Sequence, residues 1–194
     1  MNLPLRRPIA LQDFLAWEEE QARPYEFDGF QPVAMTGGTI DHDRITFNLR
    51  RSLEARLAAS PCRPFGPNVK ILAAGSIRYP DGLIACTPQT GSSTIVEDPV
   101  VVFEVVSPGT SRTDRIEKVR EYQATPSIRR YVILEPDSIA ATVFERAGDT
   151  WRGFALADDD TLRMPETGIE LPLRDCYAGI EFPARRDAAE PGRT

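Results

Sequence analysis

The sequence predicts a single α/β domain. Three observations indicate this class: apolar stripes with helical spacing alternate with β-branched runs, no segment repeats another, and no linker-like stretch interrupts the chain. A length of 194 residues suits one domain with a substantial core. We therefore expect one domain over residues 1–183, followed by a disordered tail of small and charged residues over 184–194.

The helices are predicted from the spacing of apolar residues. Helices are expected over Leu11–Gln21, Asp41–Ala59 and Thr113–Gln123. The second helix has Thr39 or Asp41 as a candidate N-cap, and two prolines follow its end. Four residues at four-residue steps give it an apolar stripe: Ile45, Leu49, Leu53 and Leu57.

The strands are predicted from β-branched runs and turn residues. Asp28-Gly29 and Gly148-Asp149 each separate two short extended segments, which predicts two hairpins. The polar segment Thr87–Asp98 is predicted to be a loop. In chain order, strands are expected within Tyr25–Met35 (the first hairpin), at Asn68–Ala74, Ile77–Cys86, Pro99–Ser107 and Arg129–Leu134, at Ile139–Arg146 with Thr150–Ala157 (the second hairpin), and in short pieces within Thr161–Phe182.

The composition excludes several classes of function. No apolar run approaches the roughly 20 residues of a membrane span, and the first residues lack the apolar stretch of a signal peptide, so we expect a cytoplasmic protein. Three cysteines without a CxxC pair support neither a disulfide framework nor a zinc site. The only histidine, His42, is interpreted as a packed or capping residue rather than a ligand. Any chemistry would therefore depend on carboxylates and on a lysine.

The segment Pro99–Ser107 contains a carboxylate where a buried strand is expected. Five valines and a phenylalanine flank Glu104, which is typical of a central strand covered on both faces. An ionised carboxylate there is costly unless it is paired or bound to a metal. A buried ion pair with an arginine, a strand end open to solvent and a metal site all remain explanations.

A second carboxylate, Asp81, lies at the start of the preceding strand. If the two strands pair antiparallel, Asp81 lies near Glu104, and two adjacent carboxylates call for a shared proton or a hard cation. Magnesium is typically held by one or two carboxylates together with water and phosphate. An ordinary turn at Pro80-Asp81-Gly82 is the other interpretation.

The helix after Glu104 carries one of only two lysines in a chain with 21 arginines. Asp114, Lys118 and Tyr122 recur at four-residue spacing. An exposed Asp114–Lys118 pair is one interpretation. In the other, Lys118 lies over the strand ends, where it would orient a water molecule or stabilise charge on a phosphate.

Taken together, these residues resemble the Uma2 family of endonucleases, a branch of the PD-(D/E)xK nuclease superfamily. The resemblance spans roughly Leu11 to Phe182 and implies a restriction-endonuclease-like fold: a mixed β-sheet core flanked by helices, with an extra C-terminal β-hairpin. The matching stretches, in order, are Tyr25-Glu26-Phe27-Asp28-Gly29, Tyr79-Pro80-Asp81, Phe103-Glu104-Val105-Val106-Ser107-Pro108, Asp114-Arg115-Ile116-Glu117-Lys118 through Tyr122, and Arg130-Tyr131-Val132-Ile133-Leu134.

The resemblance also implies a metal-dependent endonuclease that hydrolyses DNA phosphodiester bonds. Asp81 and Glu104 would bind Mg²⁺ or Mn²⁺, and the backbone carbonyl of Val105 would complete the ligand set. Val106 occupies the position of the lysine in the parent motif, and Lys118 would substitute for it.

Glu26 matches the glutamate that precedes the catalytic strands in the superfamily. A structural acid beside the first hairpin is an equally good interpretation of this residue. The expected partners are DNA and a second copy of the chain in a homodimer.

The charge distribution bears on DNA binding. The net charge of −6 disfavours a polyanionic partner, but residues 38–78 carry seven basic side chains against three acidic ones. Arg44 and Arg51 on the second helix, together with Lys70 and Tyr122, are candidate phosphate contacts. A solvated helix face and a surface charge at Lys70 are the alternatives.

Two other functions remain open. A nuclease-fold protein that no longer cleaves would act as a nucleic-acid-binding or dimeric interaction module, which the absent motif lysine and the acidic balance favour. A metal-dependent hydrolase acting on a smaller phosphate ester is the third interpretation.

Overall fold

The computed structural model describes residues 8–35, 37–107 and 113–182, without the side chain of Asp114. The helices are α1 (Leu11–Glu18), α2 (Ile40–Leu57) and α3 (Lys118–Ala124); a π-helical turn at Thr113–Glu117 leads directly into α3, and a 3₁₀ turn spans Leu173–Tyr177. The strands are β1 (Tyr25–Phe27), β2 (Pro32–Ala34), β3 (Arg63–Phe65), β4 (Ile71–Ala73), β5 (Ser76–Arg78), β6 (Gly82–Ala85), β7 (Pro99–Val105), β8 (Arg130–Leu134), β9 (Ala140–Ala147), β10 (Thr150–Ala157), β11 (Thr161–Met164) and β12 (Ile169–Pro172). The predicted tail over 184–194 and the motif residue Pro108 lie outside the described residues.

The central sheet has six strands in the order β10-β9-β8-β7-β6-β3. β7 and β8 are parallel and are joined through α3, whereas the other neighbours are antiparallel. β7 therefore lies in the interior of the sheet, as its β-branched run predicted. The fold is the expected α/β fold with a mixed sheet, and β11 and β12 form the extra C-terminal hairpin.

Helix α2 covers one face of the central sheet. Its predicted apolar stripe is buried, and it packs against alternate β7 residues, Val101, Phe103 and Val105. Thr39 is the N-cap, since its hydroxyl accepts the backbone N–H of His42 at 3.2 Å. The first turn of α2 is thereby fixed at one end of the strands.

Helix α3 lies on the opposite face. There Val102 packs with Tyr122 of α3 and Tyr131 of β8 in a second apolar cluster. Because successive side chains of a strand point to opposite faces, Glu104 shares the face of Val102 and is directed toward α3.

A smaller sheet, in the order β2-β1-β5-β4, packs against α1 through Phe14, Phe27 and Ile77. Ala74 and Gly75, both with positive φ, form a two-residue turn between β4 and β5. This sheet delivers β1, and with it Glu26, to the end of the central strands.

Two sequence-based predictions were wrong, and one strand was missed. The predicted strand Ile77–Cys86 is two strands in different sheets, because the chain leaves the small sheet at Tyr79-Pro80-Asp81 and Pro80 has no N–H for a ladder. The edge strand β3 was not predicted. The expectation of no disulfide also fails, since Cys62 and Cys86 are bonded.

The disulfide follows from strand pairing that sequence spacing does not reveal. Arg63 of β3 is opposite Ala85 of β6, so the adjacent Cys62 and Cys86 meet across the two antiparallel strands. The third cysteine, Cys176, is free and buried.

Within the described residues, no helix is long and apolar enough to cross a membrane. The cytoplasmic location stays a prediction of the sequence.

Candidate active site

A cavity of about 260 Å³ opens at the ends of β6 and β7. In the antiparallel register Gly82 is opposite Phe103, so the preceding residue, Asp81, comes beside Glu104 as the sequence predicted. Besides the two carboxylates, the cavity is lined by residues from α2, β1, β5 and α3, namely His42, Glu26, Arg78 and Lys118. The structure therefore brings together side chains that are far apart in the sequence.

Asp81 is held by the backbone of β7. Its Oδ2 accepts the N–H of Val105 at 2.7 Å, just beyond the last regular pair of the two strands. A charged acceptor strengthens such a hydrogen bond and fixes the carboxylate at the strand end.

Glu104 is buried and paired with α3. Lys118 and Tyr122, one helical turn apart, both donate to its Oε1, at 2.7 Å from Nζ and 2.9 Å from the hydroxyl. Burial, followed by the charge of Glu104, raises the pKa of Tyr122, so its hydroxyl stays protonated and donates. Lys118 is 4 % exposed, which excludes the interpretation of a surface lysine; the side chain of Asp114 lies outside the described residues.

Glu26 belongs to the same charged network. Its Oε2 accepts from Arg78 at 3.0 Å, and its Oε1 accepts the backbone N–H of Tyr79 at 3.1 Å and lies 3.5 Å from Nζ of Lys118. Lys118 is thus flanked by two glutamates, Glu26 and Glu104.

Arg78 is 1 % exposed and anchors this network, a role that sequence reasoning did not assign. Besides Glu26, it binds both carboxylate oxygens of Glu121 on α3. Burial alone would lower the pKa of Arg78, but the hydrogen bonds to Glu121 and the charges of Glu26 and Glu121 raise it. The guanidinium therefore ties the small sheet to α3 beneath the cavity.

His42 was also missed as a site residue. Its Nε2 lies 3.2 Å from Oδ2 of Asp81. This carboxylate is the main reason that the pKa of His42 is raised, with a backbone hydrogen bond to Val105 adding to the effect. Only its place on the apolar side of α2 hinted that it faces the sheet, and nothing in the sequence indicated a contact with Asp81.

Two of the predicted phosphate contacts, Lys70 and Tyr122, are buried and hydrogen-bonded to glutamates. Lys70 is 3 % exposed, pairs with Glu18 at 2.5 Å and does not line the cavity. Tyr122 is completely buried and donates to Glu104. Neither side chain can reach a phosphate without breaking a buried contact.

The other two candidates, Arg44 and Arg51, are exposed on α2. They follow His42 by two and nine positions, so at about 100° per residue both point away from the site. Asn48, which lies between them on α2, is buried and donates to the carbonyls of Cys176 and Ala178. Neither arginine lines the cavity.

The donors at the strand ends are compatible with a hard cation. Among the described residues, no three His, Cys, Asp or Glu side chains form a metal-binding group. Magnesium usually needs only one or two carboxylates, with water and substrate phosphate supplying the remaining ligands. Asp81 and Glu104, with the Val105 carbonyl, fit that requirement.

The mixed-sheet α/β fold, with two carboxylates at the ends of neighbouring central strands and a lysine from the following helix, fits the restriction-endonuclease-like fold that the sequence resemblance implies. The family model of Uma2, described as a putative restriction endonuclease, matches residues 11–174, and the chain belongs to this family.

The chain is also similar to two relatives and to one solved structure. The chain is 27 % identical over 178 residues to the uncharacterized protein slr1290 of Synechocystis sp., covering 90 % of this chain and 94 % of that protein. It is 25 % identical over 146 residues to the uncharacterized protein sll1609 of the same organism, covering 73 % and 82 %. The fold is similar to the crystal structure of a putative nuclease belonging to DUF820 from Anabaena variabilis, with a TM-score of 0.72, 15 % identity, and coverage of 88 % of this chain and 98 % of that one.

Proposed function

We propose that this protein is a metal-dependent endonuclease that hydrolyses phosphodiester bonds of DNA at the cavity beside β6 and β7. The observation that carries the proposal is the meeting of Asp81 and Glu104 at the strand ends, with Lys118 donating to Glu104. Membership of a nuclease family supports the same reaction class.

Asp81 and Glu104 would hold the cation together with the carbonyl of Val105. When bound, Mg²⁺ or Mn²⁺ supplies charge neutralisation at the scissile phosphate and a lowered pKa for a water molecule. The backbone N–H of Val105 fixes Asp81 for this task, whereas Lys118 and Tyr122 fix Glu104.

Lys118 would take the part of the missing motif lysine. Its ammonium lies between Glu104 and Glu26 inside the cavity lining, so it is positioned to orient a water molecule or to neutralise charge that develops on the phosphate. Glu26, itself held by Arg78, would keep Lys118 in place.

Duplex DNA has two strands, and each site acts on one phosphodiester at a time. An enzyme that cuts both strands in one binding event therefore needs two sites, which favours a homodimer. Sedimentation velocity would detect the homodimer as a species of twice the chain mass.

The direct test is cleavage of supercoiled and branched DNA with Mg²⁺ or Mn²⁺ by the wild type and by Asp81→Asn. This near-isosteric change removes one carboxylate charge and keeps an acceptor for the Val105 N–H. We expect cleavage by the wild type and at least about a 10²-fold loss in the variant. Asp149→Asn, the same change in the exposed β9–β10 turn, is the matched control and should cleave normally.

Equal cleavage by wild type and Asp81→Asn would contradict the proposed site. Metal binding by the wild type with no cleavage of any DNA would instead support a nuclease-fold module that binds nucleic acid without cutting it.

A further inference from the structure

His42 is the only histidine of the chain, and it lies in the first turn of α2. The cap formed by Thr39 fixes its backbone N–H, and its side chain turns toward the cavity with 19 % of its surface exposed. The Thr39 cap therefore fixes the backbone of His42 independently of the contact between its side chain and Asp81.

The imidazole is also confined by its surroundings. A Cβ atom added to Gly38 would lie only 2.6 Å from Nδ1 of His42 and 2.7 Å from its Cγ. Only a glycine at position 38 leaves room for the ring where it stands. The backbone at Gly38 and the end of β7 thus enclose the imidazole.

The ring and a backbone amide converge on one oxygen of Asp81. Nε2 of His42 lies 3.2 Å from Oδ2, and the N–H of Val105 donates to the same atom at 2.7 Å. Among the described residues, both contacts of the Asp81 carboxylate are made by Oδ2, and neither is made by Oδ1. The two contacts restrain the Asp81 carboxylate through Oδ2.

We propose that His42 is a positioning residue that holds Asp81 in the orientation in which it binds the divalent cation. The inference rests on the proposed function, since it concerns the cation centre of the same site. A carboxylate fixed by two donors loses little rotational freedom when it binds a metal, and removal of such a supporting group typically weakens metal binding about 10–100-fold.

The test measures Mn²⁺ affinity by isothermal titration calorimetry on the full chain. His42→Ala should raise the Kd about 10–100-fold. His42→Gln, whose side-chain N–H donor lies the same number of bonds from Cα as Nε2 of the imidazole, should recover most of that loss. Glu54→Gln, on the exposed outer side of α2, should bind Mn²⁺ like the wild type.

Gly38→Ala gives an independent perturbation that leaves the imidazole chemistry intact. Its added methyl group would push the ring from its place, so it should also weaken Mn²⁺ binding while circular dichroism reports a folded protein. If His42→Ala fails to fold, this variant decides the question, and a wild-type Kd for it would overturn the proposal.

The outcomes separate the inference from the proposed function. Wild-type affinity in His42→Ala, with binding lost in Asp81→Asn, would overturn the role of His42 and leave the cation site standing. Loss of binding in His42→Ala without any recovery in His42→Gln would also overturn the positioning role, since a hydrogen-bond donor at this position would then not be what the site requires. No Mn²⁺ binding by the wild type would overturn both.

Discussion

The two lysines of this chain lie in two buried clusters built from the same three types of side chain. In each, a lysine and a tyrosine hydroxyl donate to one glutamate. The α1 cluster consists of Lys70, Glu18 and Tyr79, and the β7 cluster consists of Lys118, Glu104 and Tyr122.

The surroundings of the two clusters differ. In the α1 cluster, one lysine faces one carboxylate, and Lys70 and Glu18 are outside the cavity lining. In the β7 cluster, Glu26 lies 3.5 Å from the same lysine, and Asp81 follows at the end of the neighbouring strand. The Lys70–Glu18 ion pair is therefore balanced and lies outside the cavity lining, whereas the β7 cluster combines an excess of carboxylates with access to the cavity.

The comparison teaches that the chemistry of a lysine–glutamate–tyrosine group is decided by its neighbours. In a balanced buried pair, removing one partner leaves an unpaired buried charge and lowers stability, whereas surplus negative charge beside a cavity attracts cations and suits a reactive centre. Tyr79 links the two, since its hydroxyl donates to Glu18 and its backbone N–H donates to Glu26.

The largest expected effect is on activity at the β7 cluster. Lys118→Met should lower the rate of DNA cleavage by at least about 10²-fold, because a positioned charge near the phosphate is lost. Its unfolding free energy should also fall, because Glu104 is buried and loses its ion-pair partner. Initial cleavage rates and urea unfolding measure the two quantities, and undiminished cleavage would remove Lys118 from the mechanism.

The next effect is on stability at the α1 cluster. Lys70→Met leaves the carboxylate of Glu18 buried without its partner, which should lower the unfolding free energy by about 3–5 kcal/mol. Cleavage per folded molecule should stay within about twofold of wild type. The double variant Lys70→Met/Glu18→Gln carries no unpaired charge and should regain much of the lost stability in the same urea titration; a large loss of cleavage in folded Lys70→Met would break the distinction between the clusters.

The smallest effect is the pH dependence of the α1 cluster. Burial alone would raise the pKa of Glu18, but hydrogen bonds from Lys70 and Tyr79 more than offset it and lower the pKa below its ordinary 4.5. The unfolded chain then binds a proton more readily, so this contribution to stability is complete above about pH 4.5 and is lost as pH falls through the lower folded value.

Urea unfolding between pH 7 and pH 3 measures that dependence. Glu18→Gln should lose less stability than wild type over this range, because its amide does not titrate. Parallel curves for the two proteins would show that Glu18 makes no such contribution.

Local pattern predicted much of the fold. The apolar stripe of α2 and the valine run of β7 depend on the periodicity of single elements, and both are buried as expected. The position of Asp81 beside Glu104 was also predictable, because the two strands are near in sequence and short motifs flank both residues. The edge strand β3 and the Cys62–Cys86 bond were not, since they depend on which distant segment pairs with β6.

The sequence by itself therefore determined the class of fold and the family, predicted that Asp81 and Glu104 lie close together, and left two interpretations for Lys118. Only the tertiary structure decided that Lys118 enters the site while Lys70 is enclosed beside α1, and that His42 and Arg78 support Asp81 and Glu26. The physical reason is that periodicity and motif spacing report on single elements and their neighbours along the chain. Contacts between side chains that are 39 or 52 residues apart in the sequence depend on how helices and sheets pack in three dimensions.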